Sequence, residues 1–303
     1  MNLTDDAMLV SVRITAWSGR IHDRQASDHV AAHHDAAASA GRYHKRLLPK
    51  RALAALTSTM SEARATHYAH TLPWDDQGAR LLTVANYAHY TALMDELRER
   101  MVRERARFIA DYAQCIDQAR LDLGQLFRLE DYPSKTALQD RFSLRYRITP
   151  VPAARHFIAK LAADDTDRVK RTLERDIAER LHTAAGDLYR RLGDAVERVS
   201  ERLREDDTGK PLVFRDSMIA HLRDLVDVVP RLNLFGDAEL ARLCAEVKDR
   251  IARVEPDTLR PSKTFDPVVR ARVKRDADAL RERFAGYFAS AAADVEAPVR
   301  EAA

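Results

Sequence analysis

The chain has 303 residues, of which 46% are hydrophobic and 32% are charged. That length suits one large domain or two ordinary ones, and the hydrophobic fraction is sufficient for a core. The 50 Lys and Arg residues nearly balance the 47 Asp and Glu residues, so the net charge of +3 does not by itself indicate nucleic-acid binding, which needs clustered charge. No run of 18 apolar residues occurs, which excludes an ordinary membrane-spanning helix.

Alternating apolar residues predict a β-strand near the start of the chain. Val10, Val12 and Ile14 alternate with polar residues, which is the period of a half-buried strand. Residues 20–41 are polar and rich in His and Ala, and they predict a mobile or partly helical arm. Residues 1–41 therefore form the first expected segment, a strand followed by a polar, His-rich arm.

A basic cluster follows this arm, at the start of a predicted helix that runs from Pro49 to about His70. Few acidic residues compensate it, so it could contact nucleic-acid phosphates or an acidic partner. The alternative, and the more common role of such charges, is a solvated helix start. The cluster consists of Arg42, Lys45, Arg46, Lys50 and Arg51.

Two long amphipathic helices are predicted in the segment 42–212. In residues 80–127 the apolar positions follow steps of three and four, which is typical of a helix packed along one seam. A similar stripe runs through residues 164–205, with a mean step slightly above 3.6 residues that favours straight or slightly right-handed packing. We expect the two helices to be antiparallel and to form a coiled-coil-like stalk. The expected core residues are Leu97, Phe108, Tyr112, Leu181, Leu188 and Leu192.

A second strand lies between the two long helices. Leu144, Tyr146 and Ile148 alternate with polar residues, and this strand could pair with the first one. Shorter helices in 213–289 predict a C-terminal helical bundle, and 290–303 predicts a disordered tail. The expected fold is mainly α: an elongated bundle with two long antiparallel helices and a small two-stranded β element.

The sequence lacks the motifs of common enzymes. It contains no GxSxG, GxxxxGK[ST] or GxGxxG pattern, so we expect no enzyme, no catalytic residues and no cofactor. His29 and His33 are four residues apart and would share a helix face, which makes them weak candidates for metal binding. No third ligand stands at a standard spacing, and a solvated polar arm is the alternative.

The cysteines and the first residues indicate a compartment. Cys115 and Cys244 show no paired-motif spacing, and both occupy apolar positions of helical patterns, as expected in a reducing cytoplasm. Residues 1–6 are polar and acidic, so we expect no signal peptide. We therefore expect a cytoplasmic protein.

Several short motifs, taken in order, resemble those of a known family. They are Trp17-Ser18-Gly19-Arg20, Leu47-Leu48-Pro49-Lys50, Thr71-Leu72-Pro73-Trp74, Gly78-Ala79-Arg80, Asp131-Tyr132-Pro133-Ser134, Pro150-Val151-Pro152, Phe214-Arg215-Asp216-Ser217 and Pro230-Arg231-Leu232-Asn233. Their order and spacing resemble the uncharacterised bacterial and phage domain-of-unknown-function family numbered 3150. The resemblance spans roughly residues 9–285.

That family has no assigned activity, but the resemblance implies a biological setting. Its members occur on phages and mobile elements, near a MoxR- or CobS-like AAA+ ATPase and a von Willebrand A-type protein. The resemblance implies a structural or adaptor protein that partners such an ATPase. Long helices often continue their seam with another subunit, so we also expect a homo-oligomer. The alternative is a DNA-associated accessory protein in recombination or mobile-element maintenance.

Overall fold

A computed structural model describes residues 3–75, 78–151, 163–261 and 264–300. The chain is mainly helical with a small antiparallel sheet, as the sequence predicts. The helices are α1 (Leu3–Asp6), α2 (Arg24–His33), α3 (Ala54–Ala69), α4 (Val84–Leu123), α5 (Lys135–Arg141), α6 (Ala163–Arg202), α7 (Asp216–Leu232), α8 (Ala238–Val247) and α9 (Pro267–Arg300). The strands are β1 (Ala7–Thr15), β2 (Arg20–His22), β3 (His44–Arg46), β4 (Leu72–Pro73), β5 (Arg80–Thr83) and β6 (Ser143–Pro150). Within the described ranges, no helix is both long enough and apolar enough to cross a membrane.

The chain divides into two compact units, each built from stretches that are distant in sequence. The first unit comprises Met1–Val10, His70–Tyr87 and Thr149–Ala303, and the second comprises Ser11–Ala69 and Ala88–Ile148. The segments expected from the sequence are contiguous, whereas these units alternate along the chain. Three of the four boundaries fall inside β1, α4 and β6. A boundary inside a helix or strand has no Gly-, Pro- or Ser-rich linker that would mark it in the sequence.

The core of the first unit forms where α6 packs along α7 and α9. Leu188 and Leu192 of α6 are fully buried there, as the apolar stripe predicts. Gly193 allows α9 to approach closely, because a Cβ atom at this position would lie 3.3 Å from the Cβ of Phe284. Leu181, one of the expected core residues, is only half-buried.

A hydrogen-bonded cap ties α8 to α6 in the first unit. The carboxylate of Asp237 accepts hydrogen bonds from the backbone N–H groups of Glu239 and Leu240, which satisfies two donors at the start of α8. The Tyr189 hydroxyl on α6 donates to the other carboxylate oxygen of Asp237, at 2.8 Å. The cap therefore serves both as a helix start and as a contact between helices.

The larger sheet has the strand order β4-β5-β1-β6. In the first unit, β1 pairs antiparallel with β5, so that Ala7 faces Thr83, and β5 pairs with β4. In the second unit, the Oγ1 atom of Thr15 lies 2.7 Å from the Oγ atom of Ser143, where the rest of β1 runs beside β6. The predicted pairing of these two strands is confirmed.

The prediction of only two strands is wrong. The strands β4 and β5 join the larger sheet, and β2 and β3 form a separate two-stranded sheet. These four strands have two to four residues each, too few to show a period of two along the sequence. Residues Arg80–Thr83 were expected to begin the first long helix, which instead starts at Val84.

Both long helices are present, and each has 40 residues. The antiparallel pairing of α4 with α6 into a stalk stays a prediction. The expected tail is helical as far as Arg300, since α9 continues through the alanine-rich residues 290–297, which favour helix. Residues 301–303 lie outside the described residues.

The core of the second unit lies along α4. Tyr90, Met94 and Met101 are almost fully buried on one face of this helix. Further along, the ring of Phe108 contacts the rings of Tyr112 and Phe142, with both pairs of ring centroids 5.6 Å apart in edge-to-face geometry. This aromatic cluster provides a rigid base for the site described below.

We predict that Leu188→Ala will destabilise the first unit by about 2–5 kcal/mol, because it leaves a cavity in a closed core. The matched control is Leu121→Ala on α4, where the side chain is 78% exposed and the cost is expected to stay below about 0.5 kcal/mol. Urea unfolding followed by circular dichroism measures both values. Equal stability of the two variants would show that the α6 stripe is not a core.

Candidate functional site

The short strands β2 and β3 form an antiparallel ladder in the second unit. Side chains alternate between the two faces of a strand, so the first and third pairs of this ladder share one face and the middle pair lies on the other. The pairs are Arg20–Arg46, Ile21–Lys45 and His22–His44.

On the inner face, Lys45 is buried in a network of ion pairs and hydrogen bonds. Its side chain is only 2% exposed, and its Nζ atom lies 2.9 Å from Asp23 Oδ2 and 2.7 Å from Asp131 Oδ2. The same ammonium group donates a hydrogen bond to the carbonyl oxygen of Leu126. Asp23 also caps α2 by accepting a hydrogen bond from the N–H of Ala26. Lys45 therefore fixes β3 to α2 and to the turns that follow α4.

The network shifts the pKa values of Asp23 and Lys45 in opposite directions. The hydrogen bond from Lys45, followed by that from the Ala26 N–H, lowers the pKa of Asp23. Burial acts to lower the pKa of Lys45, but its hydrogen bonds to Asp131 and Asp23 outweigh burial and raise it. Asp23 thus stabilises the fold above its unfolded pKa and stops doing so as pH falls through its folded pKa. Lys45 stabilises it below its unfolded pKa and stops as pH rises through its folded pKa.

Lys45, predicted as a possible contact to nucleic acid or an acidic partner, is therefore placed by the structure inside the fold and not on the surface. In the sequence, Lys45 stands among exposed cations, and nothing local distinguishes it from them. Its partners Asp23 and Asp131 come from separate parts of the chain, so only the tertiary structure shows that the ammonium group faces inward.

On the outer face, Arg20 and Arg46 lie opposite each other, and both are exposed. Like charges directly opposite each other in a ladder are destabilising. Among the residues that the structure describes, no carboxylate forms an ion pair with either guanidinium. Lys50 and Arg64, which are exposed and have no such ion pair within those ranges either, line the same depression. We call this depression of about 640 Å³ the cationic groove.

The walls of the cationic groove leave room for a ligand. From α3 they include short side chains that recur on one helix face, namely Ala54, Thr57, Ser58 and Ser61. The floor is apolar and consists of Leu48, Met60 and Phe142, which are buried.

One glycine is required beside the groove. Gly19 has a φ of +63°, which side chains rarely adopt, and a Cβ atom there would lie 3.0 Å from Leu48 Cδ1. The turn from β1 into β2 therefore depends on this glycine. It places Trp17, which also lines the groove, on one side of the turn and Arg20 on the other.

A second depression of about 540 Å³, the neighbouring cleft, shares Arg20, Arg46 and Lys50 with the groove. Tyr43 and His44 also line it, together with a carboxylate, Asp122, which accepts a hydrogen bond from Gln118. The three shared cations therefore face both depressions.

The chemistry of the groove suits an anionic ligand. Its lining offers guanidinium, ammonium and hydroxyl groups. Guanidinium groups bind phosphate through paired, charge-assisted hydrogen bonds, so an anionic ligand fits this lining.

The structure divides the predicted basic cluster. Arg46 and Lys50 line the groove, whereas Arg51 is exposed but does not line it. Arg42 is also exposed, and it lines a separate small cavity beside α2.

Sequence reasoning missed Arg20 and Arg64. Arg20 was assigned to the polar arm, but it belongs to β2, opposite Arg46. Arg64 follows Ser61 by three residues on α3, and this spacing was the one local signal for it.

His29 and His33 lie on α2, four residues apart, and both side chains are exposed. Within the described ranges, no group of three or more His, Cys, Asp and Glu side chains could hold a metal ion. The structure therefore adds no further ligand to this pair of histidines.

Comparison with known proteins adds no relative. No protein-family model, curated protein or solved structure matches the chain. The resemblance to the family numbered 3150 stays a prediction.

We predict that Lys45→Met will destabilise the second unit by about 3–5 kcal/mol, because it leaves the buried Asp23 and the mostly buried Asp131 without their cation. Lys50→Met makes the same chemical change at an exposed position and is expected to cost less than about 0.5 kcal/mol. Urea unfolding followed by Trp17 fluorescence, in a Trp74→Phe background, measures both values. Similar stabilities would show that Lys45 is not part of a buried ion network.

Proposed function

We propose that this chain is a non-enzymatic accessory protein that binds nucleic acid through the cationic groove. The observation that supports this most directly is that Arg20 and Arg46 are both exposed and lie opposite each other in the ladder. Both line a groove whose floor is apolar. The proposed setting is recombination or the maintenance of a mobile element, the alternative that the sequence analysis left open.

The argument is electrostatic. The ladder places Arg20 directly opposite Arg46, and like charges in such a pair oppose the formation of the ladder. A phosphate placed between them would replace this repulsion with two attractions. Lys50 and Arg64, in the same groove, would extend the contact to neighbouring phosphates. Such contacts release counterions from the nucleic acid, which makes the affinity depend strongly on salt.

The partners implied by the resemblance belong to the same proposal. The sequence has no glycine-rich phosphate loop, so an AAA+ ATPase would have to supply any energy from ATP. A von Willebrand A-type protein would complete such an assembly. The chain would then act as an adaptor that presents nucleic acid to the ATPase.

We predict that the chain binds oligonucleotides with a dissociation constant of about 10⁻⁴–10⁻⁶ M at physiological salt, the range of non-specific binding. Arg46→Ala and Arg20→Ala are each expected to weaken binding and to reduce the slope of log K against log salt by about 0.7–0.9. Fluorescence anisotropy across a salt series measures both quantities.

The control for this series is Arg51→Ala, which removes an exposed arginine of the same segment that does not line the groove. We expect this variant to retain the salt slope of the unchanged chain. Binding that is absent, insensitive to salt, or equally weakened by Arg51→Ala would contradict the proposed site.

Self-association is a second proposal, supported by the exposure of α6. The apolar stripe is fully buried at Leu188, but it continues towards the start of the helix as Leu181, Ile177 and Leu173, which are only half-buried. A 40-residue helix is about 60 Å long, so one part of it can pack in its own unit while another meets a second copy. A coiled-coil-like contact between copies would cover Ile177, Leu173 and the exposed part of Leu181, whose remainder packs against the core of its own unit.

We predict that the unchanged chain is an oligomer and that Ile177→Asp shifts it to a smaller species, because a charge in an apolar seam loses its hydration. The control is Ala178→Asp, one residue away at an exposed position. Light scattering coupled to size-exclusion chromatography measures the mass. A monomeric chain, or the same loss in both variants, would reject the interface.

A further inference from the structure

Aromatic side chains line both of the depressions that share the cations. Trp17 lines the cationic groove, and Tyr43 lines the neighbouring cleft. Arg20, Arg46 and Lys50 line both depressions. Each depression thus combines the three shared cations with an aromatic side chain of its own.

The main chain holds Tyr43 in place while its ring stays accessible. The Tyr43 N–H donates a hydrogen bond to Ser27 Oγ, and its carbonyl oxygen accepts one from the Asp23 N–H, both at 2.9 Å. The side chain is nevertheless 40% exposed. A planar ligand group could therefore stack on this ring with little ordering of the backbone, which limits the entropy lost on binding.

Trp17 is also held in a defined orientation. Its ring meets that of Tyr112 edge to face, with the centroids 6.3 Å apart and the planes at 74°. Beside it, the groove floor of Leu48, Met60 and Phe142 is apolar. Phosphates gain nothing from an apolar floor, whereas the faces of nucleobases stack on aromatic and apolar groups.

The position of the cations decides between two forms of nucleic acid. A duplex is read by a helix or a β-ribbon that protrudes into its grooves, and its base faces are stacked inside. Here the cations line depressions, and the nearby rings need free base faces. A single strand can lie in a depression with its phosphates on the cations and its bases on the rings.

We propose, on the basis of the proposed function, that the ligand is single-stranded nucleic acid. Its phosphates contact Arg20, Arg46 and Lys50, and its bases stack on Tyr43 and Trp17. The apolar floor of the groove receives the part of a base that neither ring covers.

The first test compares three fluorescein-labelled probes of equal length at one salt concentration: oligo(dT), an abasic strand and a duplex. Each has roughly 16 nucleotides per strand, which is the upper end of single-strand site sizes. The abasic strand keeps the phosphates and removes the bases. We expect oligo(dT) to bind at least roughly tenfold more tightly than either of the other probes, because stacking adds to the phosphate contacts.

The second test removes one ring. Tyr43→Ala is expected to weaken oligo(dT) binding roughly tenfold and to leave abasic binding unchanged, whereas Tyr43→Phe keeps the ring and the affinity. The control is Tyr68→Ala, which removes a ring that is 57% exposed on α3 and lines neither depression. We expect the control to bind oligo(dT) as the unchanged chain does.

The third test observes Trp17 directly. The chain has two tryptophans, so Trp74→Phe leaves Trp17 as the single reporter. Saturating oligo(dT) is expected to quench its fluorescence through stacking, and the abasic strand is expected to leave it unchanged.

These tests separate the inference from the proposed function. The single-strand inference is overturned if the three probes bind equally, if Tyr43→Ala has no effect and if Trp17 is not quenched. If Arg46→Ala still weakens binding in that case, nucleic-acid binding stands. If no probe binds, or Arg46→Ala has no effect, the proposed function is overturned and the inference with it. Preference for a poly-glutamate probe over oligo(dT) would assign the groove to an acidic protein partner and overturn both.

Discussion

The buried ion pairs of Lys45 with Asp23 and Asp131 determine the geometry of the candidate site. A strand of three residues has little stability of its own, and its register needs an anchor. Lys45 supplies that anchor on the inner face of the two-stranded sheet. Because side chains alternate, an inward Lys45 obliges Arg20 and Arg46 to face outward and opposite each other. The ion pairs of Lys45 on one face of the two-stranded sheet thus keep the two arginines opposite each other on the other face.

The rest of the second unit makes this arrangement rigid. Phe142 and Met60 belong to the core and also form the floor of the groove, so the ligand surface continues the packed interior. The short side chains of α3 keep the groove open, and Gly19 permits the turn that brings Arg20 into place. Because the backbone that carries the cations is already fixed by this packing, binding has to order only their side chains.

The first unit has a different physical basis. It relies on the burial of apolar surface where α6 meets α7 and α9, with charged groups mostly at the surface. The two units therefore differ in what characterises them. The first is stabilised by a large helical core, and the second carries the cationic groove. We propose that the first unit serves assembly and the second serves nucleic-acid binding, within one accessory protein.

The sequence alone determined the features that depend on local periodicity. The apolar stripes of α4 and α6, and the alternation in β1 and β6, follow directly from residue order, because helices and strands repeat over a few residues. It also placed Arg46 and Lys50 in a basic cluster. Only the tertiary structure decided that Lys45 is buried and that Arg20 faces Arg46, because these depend on partners distant in sequence. A strand of two to four residues, or an ion pair between distant residues, leaves no local pattern in the sequence. The candidate site can therefore be identified only in the folded structure.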